Sequence, residues 1–188
     1  MNRRWPYVAA CAAGLLVGVG LLIRMGTHAA LGGGDGPESL KGKEAPDFSL
    51  RTVDDKDAKL SSLKGNVVVV DFWATWCPPC RQSLPHIQKM SGDKELADKG
   101  LKVFAVNDRE GKDNIEPFLK DNKYTFTVPM DAEGKALEAY KSDGIPATIV
   151  VGRDGTVKAV FVGYEGDQTA QQIDEAVEAA LKEKAPAA

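Results

Sequence analysis

A chain of 188 residues with 43% hydrophobic and 27% charged side chains has the composition of one ordinary globular domain with a core of useful size. Its net charge of −3 carries no basic excess, and no aromatic residues interleave with basic clusters, which excludes nucleic acid as an expected partner. Three cysteines, one of them in an apolar leader, exclude a disulfide-scaffold protein.

The chain opens with Arg3 and Arg4, runs apolar from Trp5 to Ile23 and then meets Arg24. This layout predicts a signal anchor or signal peptide over residues 1–25. A spanning helix needs about 20 apolar residues and a cleavable signal core about 7 to 15, so the run is nearer the anchor length. Two arginines before it against one after predict an inside N-terminus, with the bulk of the chain outside the cytoplasm, at the periplasmic or cell-envelope face. Thr27-His28-Ala29 offers a weak cleavage site, so inner-membrane anchoring and secretion both stay open. Val8-Ala9-Ala10-Cys11 has the composition of a lipoprotein box, but most of the apolar run follows it, and Cys11 reads as a small hydrophobe. Residues 26–38, with Gly32-Gly33-Gly34-Asp35-Gly36, read as a flexible linker; the folded domain is expected over 39–184 and a frayed tail over 185–188.

Phe48 to Val53 alternates partly and Asp54-Asp55-Lys56-Asp57 turns it back, predicting an N-terminal hairpin. Val67-Val68-Val69-Val70-Asp71-Phe72-Trp73 reads as a central strand covered on both faces. From Cys80 a helix is expected to about Lys99, with Leu84, Ile87 and Met90 on one face, Pro85 as a kink and Gly100 as the stop. His86 has no charged partner evident and reads as a surface or helix-face residue. A second buried strand is predicted over 101–107, a helix over 114–122, a short strand over 126–130 and a helical turn or two over 132–140. Strands over 147–151 and 156–162 flank a Gly152-Arg153-Asp154-Gly155 turn. A final helix, capped by Asp167 or Thr169, puts Ile173, Val177 and Leu181 on one face.

The chemistry gathers at Cys77-Pro78-Pro79-Cys80. Both prolines have a φ suited to a first helical turn, where their missing N–H groups cost nothing. Cys77 is thereby placed at a helix N-terminus, where the dipole and free N–H groups favour a thiolate. Cys80, one turn on, can attack a mixed disulfide formed on Cys77, which is the arrangement for thiol–disulfide exchange. A zinc site needs four ligands, and Cys11, His28 and His86 form no second pair. Haem attachment needs His where Arg81 stands. A plain structural disulfide stays open. Asp71, six residues before Cys77, is a carboxylate inside an apolar strand, costly there unless it is used or paired.

The run from Asp71 to Cys80 resembles the active-site segment of the thioredoxin superfamily. Ala45-Pro46-Asp47-Phe48-Ser49-Leu50 and Gly144-Ile145-Pro146-Ala147-Thr148 resemble its membrane-tethered, extracytoplasmic TlpA/ResA branch. The resemblance implies an α/β thioredoxin fold: a central mixed β-sheet flanked by helices, with an N-terminal hairpin and a central βα insertion. It makes Asp71 the acid/base for Cys80 and Pro146 a cis-proline facing the dithiol. It also has Ile145 offering its backbone to a client strand, and Trp76, with Pro78 and Pro79, bordering the client groove. Trp73 reads as core. Departures are Asp71, where that branch usually has Asn, and Ser83, where it has Glu. The lysine that neighbours the aspartate in many thioredoxins is replaced by Ala105.

The implied protein is a monomeric thiol-disulfide oxidoreductase with no bound cofactor and no metal. It would reduce client disulfides, as in cytochrome c maturation or metalloenzyme assembly, and take electrons from a membrane thiol–disulfide carrier. Two alternatives stand beside it: a peroxiredoxin-like peroxidase, suggested by Ala45-Pro46-Asp47-Phe48 and by Thr75 near Cys77, and a copper-binding or metallochaperone module using the two thiols.

Overall fold

A computed structural model describes residues 36–185. The expected leader, Cys11, His28 and most of the linker lie outside the described residues. The first element is a 3₁₀ turn at Pro37–Leu40 that buries Leu40. The predicted hairpin follows, with β1 (Ser49–Arg51) antiparallel to β2 (Asp57–Lys59).

The main sheet has five strands: β3 (Val67–Trp73), β4 (Leu101–Asp108), β5 (Met130–Asp131), β6 (Ala147–Val151) and β7 (Val157–Val162), in the order β5-β4-β3-β6-β7. The pairs β3–β4 and β4–β5 are parallel, while β6 runs antiparallel to both β3 and β7. This is the mixed sheet flanked by helices that the resemblance implies. Every residue of β3 is buried, as an apolar run interrupted only by Asp71 requires of a strand covered on both sides. Side chains alternate across it. Val67, Val69 and Trp73 pack with Leu84 and Ile87 of α1 (Pro78–Gly92), Ile115 of α3 (Lys112–Asn122), and Ile173 and Val177 of α5 (Asp167–Lys182). Val68, Val70 and Phe72 pack on the other side with Phe48, Ala136, Leu137 and Tyr140, the last three contributed by α4 (Lys135–Ala139) and the residue after it.

Several boundaries differ from expectation. The helix expected to reach Lys99 starts at Pro78, as the two prolines predict, but runs through Pro85 only as far as Gly92 and breaks at Asp93. There the Asp93 side chain accepts from Leu96 N at 3.1 Å and caps a separate α2 (Lys94–Asp98). An Asp in extended conformation followed by good helix formers restarts a helix more readily than it continues one. The strand expected over 126–130 shrinks to Met130–Asp131, with two isolated bridges before it, Thr127 to Phe104 and Pro129 to Thr52. Neither Asp167 nor Thr169 is the N-cap of α5. Gly166 is, with φ 69°, and Thr169 Oγ1 instead accepts from Glu165 N at 2.9 Å.

Beyond the hairpin, the chain between residues 41 and 45 lies along the outer side of β7's start. Gly42 N donates to Val157 O at 2.8 Å, Val157 N to Lys43 O at 2.8 Å, and Ala45 N to Gly155 O at 2.9 Å.

Candidate active site

The site forms where β3 ends and α1 begins, at the carboxyl ends of the parallel strands, the usual location for function in open α/β sheets. Cys77 is the N-cap of α1, with extended backbone (φ −86°, ψ 108°), and Pro78 and Pro79 occupy the first turn. Cys77 and Cys80 are joined by a disulfide with S–S 2.05 Å. Cys77 Sγ also accepts from Cys80 N at 3.2 Å, one of the free amides that a helix start directs at an anion. In the reduced protein that amide and the dipole of a 15-residue helix would face a thiolate on Cys77. Cys80 is fully buried and Cys77 nearly so.

The peptide bond between Ile145 and Pro146 is cis. The Ile145 carbonyl lies 3.7 Å from Cys77 Sγ. Trp76 is 65% exposed beside the disulfide, whereas Trp73 is buried, as expected of a core residue, and donates from Nε1 to Ala105 O at 3.1 Å. Val162 is the other exposed large hydrophobe among the described residues. It pairs with Ala147, next to the cis-proline, and Gly163 N donates to Pro146 O at 2.8 Å. The Ile145 carbonyl thus faces Cys77, with the exposed Trp76 immediately before Cys77 in the chain and the exposed Val162 across from the residue that follows Pro146.

Asp71 is completely buried on β3, opposite Thr148 of β6 and Ala105 of β4. Alternation puts it on the side of Val69 and Trp73, the side that also holds the two cysteines. Its partner is a side chain on the neighbouring strand: Thr148 Oγ1 donates to Oδ1 at 2.7 Å, and Oδ2 has no hydrogen-bond partner. Burial raises the carboxyl from 3.8 to about 7, against the smaller lowering effect of the Thr148 bond. Tyr164 titrates above its ordinary value, first through burial and then through the nearby charges of Asp167, Asp174 and Asp71. Ser83 is buried and donates to the Cys80 carbonyl at 2.9 Å.

A buried acid that sequence reasoning missed also meets the site. Glu110, just after β4, accepts from Thr75 N at 2.7 Å and from Asn107 Nδ2 at 2.8 Å on Oε2, and from the Thr75 hydroxyl at 2.5 Å on Oε1. The available signal was positional, an acid at the carboxyl end of the strand next to β3. His86, expected to lack a charged partner, lies with Nε2 3.1 Å from Asp174 Oδ1, though out of hydrogen-bond alignment. It lines a groove of about 660 Å³ between α1–α2 and α5 that does not include the cysteines. Among the described residues no cluster of three or more His, Cys, Asp or Glu could hold a metal ion, and no helix is long and apolar enough to cross a membrane.

Comparison with known proteins agrees with this geometry. Residues 41–160 match the AhpC/TSA family. The thiol-disulfide oxidoreductase ResA of Bacillus subtilis is 34% identical over 129 residues, covering 68% of this chain and 71% of ResA. The thioredoxin-like protein YneN of the same organism is 36% identical over 126 residues, covering 65% and 72%. A crystal structure described as a thiol:disulfide interchange protein DsbE from Chlorobium tepidum superposes with TM-score 0.69 at 36% identity, covering 75% of this chain and 97% of that one. The chain therefore belongs to the AhpC/TSA family and, within the thioredoxin superfamily, to its TlpA/ResA-like branch. It is a thiol-disulfide oxidoreductase.

Proposed function

We propose that this oxidoreductase reduces disulfides in extracytoplasmic client proteins. The observation that carries the reading is the Cys77–Cys80 disulfide at the start of α1, with Cys77 Sγ 3.7 Å from the carbonyl that precedes a cis-proline. In the reduced enzyme the Cys77 thiolate attacks one sulfur of a client disulfide. The client S–S bond breaks, a Cys77–client bond forms, and the departing client thiolate takes up a proton. Asp71, as carboxylate, accepts the Cys80 proton. The Cys80 thiolate then attacks Cys77 Sγ and expels the second client thiolate. Two electrons pass to the client and the Cys77–Cys80 disulfide forms.

The client chain would lie as an added strand against the Ile145 backbone, with Trp76, Pro78, Pro79, Pro146 and Val162 around it. No cofactor beyond the cysteine pair is required. Regeneration takes two electrons from a dithiol carrier in the membrane, and the expected leader would hold the domain at the outer face of that membrane as a monomer. Resemblance to the TlpA/ResA branch suggests apocytochrome c or metalloenzyme assembly partners as clients. A peroxidase reading loses support because the Thr75 hydroxyl donates to Glu110. A copper-handling reading would use the two thiols as Cu(I) ligands, and its test is stoichiometric Cu(I) retention by the reduced protein against a competing chelator.

The test is the reduction potential of Cys77/Cys80, set by equilibration in dithiothreitol or glutathione buffers. A value near roughly −270 mV supports the reductant, and one near roughly −120 mV makes the protein an oxidant and overturns the proposed direction.

A further inference from the structure

Glu110 is buried at the end of the strand beside β3. A carboxylate there loses its hydration, and the loss is offset only by hydrogen bonds made to it. All three of its donors come from the edge of the site. Asn107 lies opposite Trp73 in the β3–β4 register, and the other two donors are the amide and the hydroxyl of one residue, Thr75.

Thr75 and Trp76 are the middle residues of the turn in which Cys77 N donates to Ala74 O at 3.2 Å. Trp76 is largely exposed and belongs to neither core cluster. Packing therefore holds its indole weakly, and the attitude of the turn depends on what grips Thr75. Both carboxylate oxygens of Glu110 do so, one on the main chain and one on the side chain, which fixes the residue in position and in rotation.

We propose that Glu110 is a positioning residue for disulfide exchange: by clamping Thr75 it holds the turn that presents Trp76 and Cys77 to a protein client. The inference rests on the reading that clients are proteins, since a small disulfide needs Cys77 and little of the Trp76 surface.

The experiment compares the full chain with Glu110→Ala, Glu110→Gln and Thr75→Val, measuring reduction of insulin and of a small aromatic disulfide on the same preparations. The insulin rate divided by the small-disulfide rate is expected to fall about tenfold in Glu110→Ala, because a loosened surface misplaces the larger substrate. In Glu110→Gln the ratio should return to within about twofold of wild type, since the amide can still accept from Thr75 N and donate to the hydroxyl. Thr75→Val, which loses one arm of the clamp, should fall about threefold. Hydrogen exchange at the Thr75 amide should quicken in Glu110→Ala and slow again in Glu110→Gln.

A simple brace of the fold would lower the melting temperature and leave the ratio unchanged, and that result overturns the proposal. If Glu110→Ala does not fold, Thr75→Val decides by the same ratio. A wild-type chain inert toward insulin sinks the client reading, whereas unaltered Thr75 exchange in Glu110→Ala sinks the clamp alone.

Discussion

Thr148 Oγ1 donates a 2.7 Å hydrogen bond to Asp71 Oδ1 between directly paired residues of β6 and β3, both buried. It is the one hydrogen bond that Asp71 makes with its side chain among the described residues. The carboxyl is thus held by one strand neighbour and otherwise sits in apolar surroundings, so its proton affinity is high.

Asp71→Asn should act on both stability and rate. The folded value of about 7 lies above the ordinary 3.8. Between those values the folded state keeps a proton that the unfolded chain has released, so stability falls as pH rises and the whole penalty is present above about pH 7. Removing the charge should therefore stabilise the protein by a few kcal/mol at pH 8 and little at pH 4, read by denaturant unfolding at both. Exchange should slow more near neutral pH than at high pH, where Cys80 loses its proton unaided. Equal slowing at both would count against a proton-accepting role.

Thr148→Val removes the single donor while keeping the shape of the side chain. Because that bond favours the ionised carboxylate, the midpoint of the pH–rate profile should move upward by about one pH unit. The measurement is the rate of single-turnover oxidation of the dithiol between pH 5 and 10. A midpoint that stays put would show that the profile reports another group.

Cys80→Ser should leave Cys77 able to attack and unable to be released. A disulfide-linked complex with a client should accumulate, dissolved by dithiothreitol and absent in Cys77→Ser. Non-reducing electrophoresis reads both. Accumulation in Cys77→Ser instead would reverse the assigned roles.

Trp76→Ala and Leu84→Ala separate surface from core. Trp76 is mostly exposed, so its loss should change stability by less than about 0.5 kcal/mol while raising KM for a protein disulfide. Leu84, fully buried between β3 and the neighbouring helices, should cost about 2 to 5 kcal/mol on truncation. Thermal unfolding with paired kinetics checks the contrast.

Much of this architecture was legible because it depends on short stretches of chain. The valine run declared β3, the two prolines declared the start of α1, and Asp154-Gly155 declared the β6–β7 turn. Each is a local preference that agrees with the final fold. What was not legible depends on partners far along the chain. Glu110 and Thr75 are 35 residues apart, and neither signals the other by periodicity. The same holds for Asp71 and Thr148, separated by 77, and for His86 and Asp174. The break at Asp93 has a local signal in Ser91-Gly92 followed by a capping Asp, but the good helix formers from Lys94 to Ala97 made one helix look continuous to Gly100, and the capping bond to Leu96 N shows that it restarts. Gly166 as the cap of α5 was hidden by two better-looking capping residues next to it.

The pairing of residues 41–45 along β7 bears on how such a protein can keep company with its clients. A strand at the rim of a sheet is an open template for another chain's backbone, and partly unfolded proteins are the chains most ready to use it. Here the start of β7 is already occupied by the protein's own Gly42, Lys43 and Ala45, and the opposite rim, β5, is only two residues long. Extended backbone is therefore turned away at the start of β7 and finds little to pair with at β5, and on the proposed reading the segment before the cis-proline would be the place left for an incoming chain.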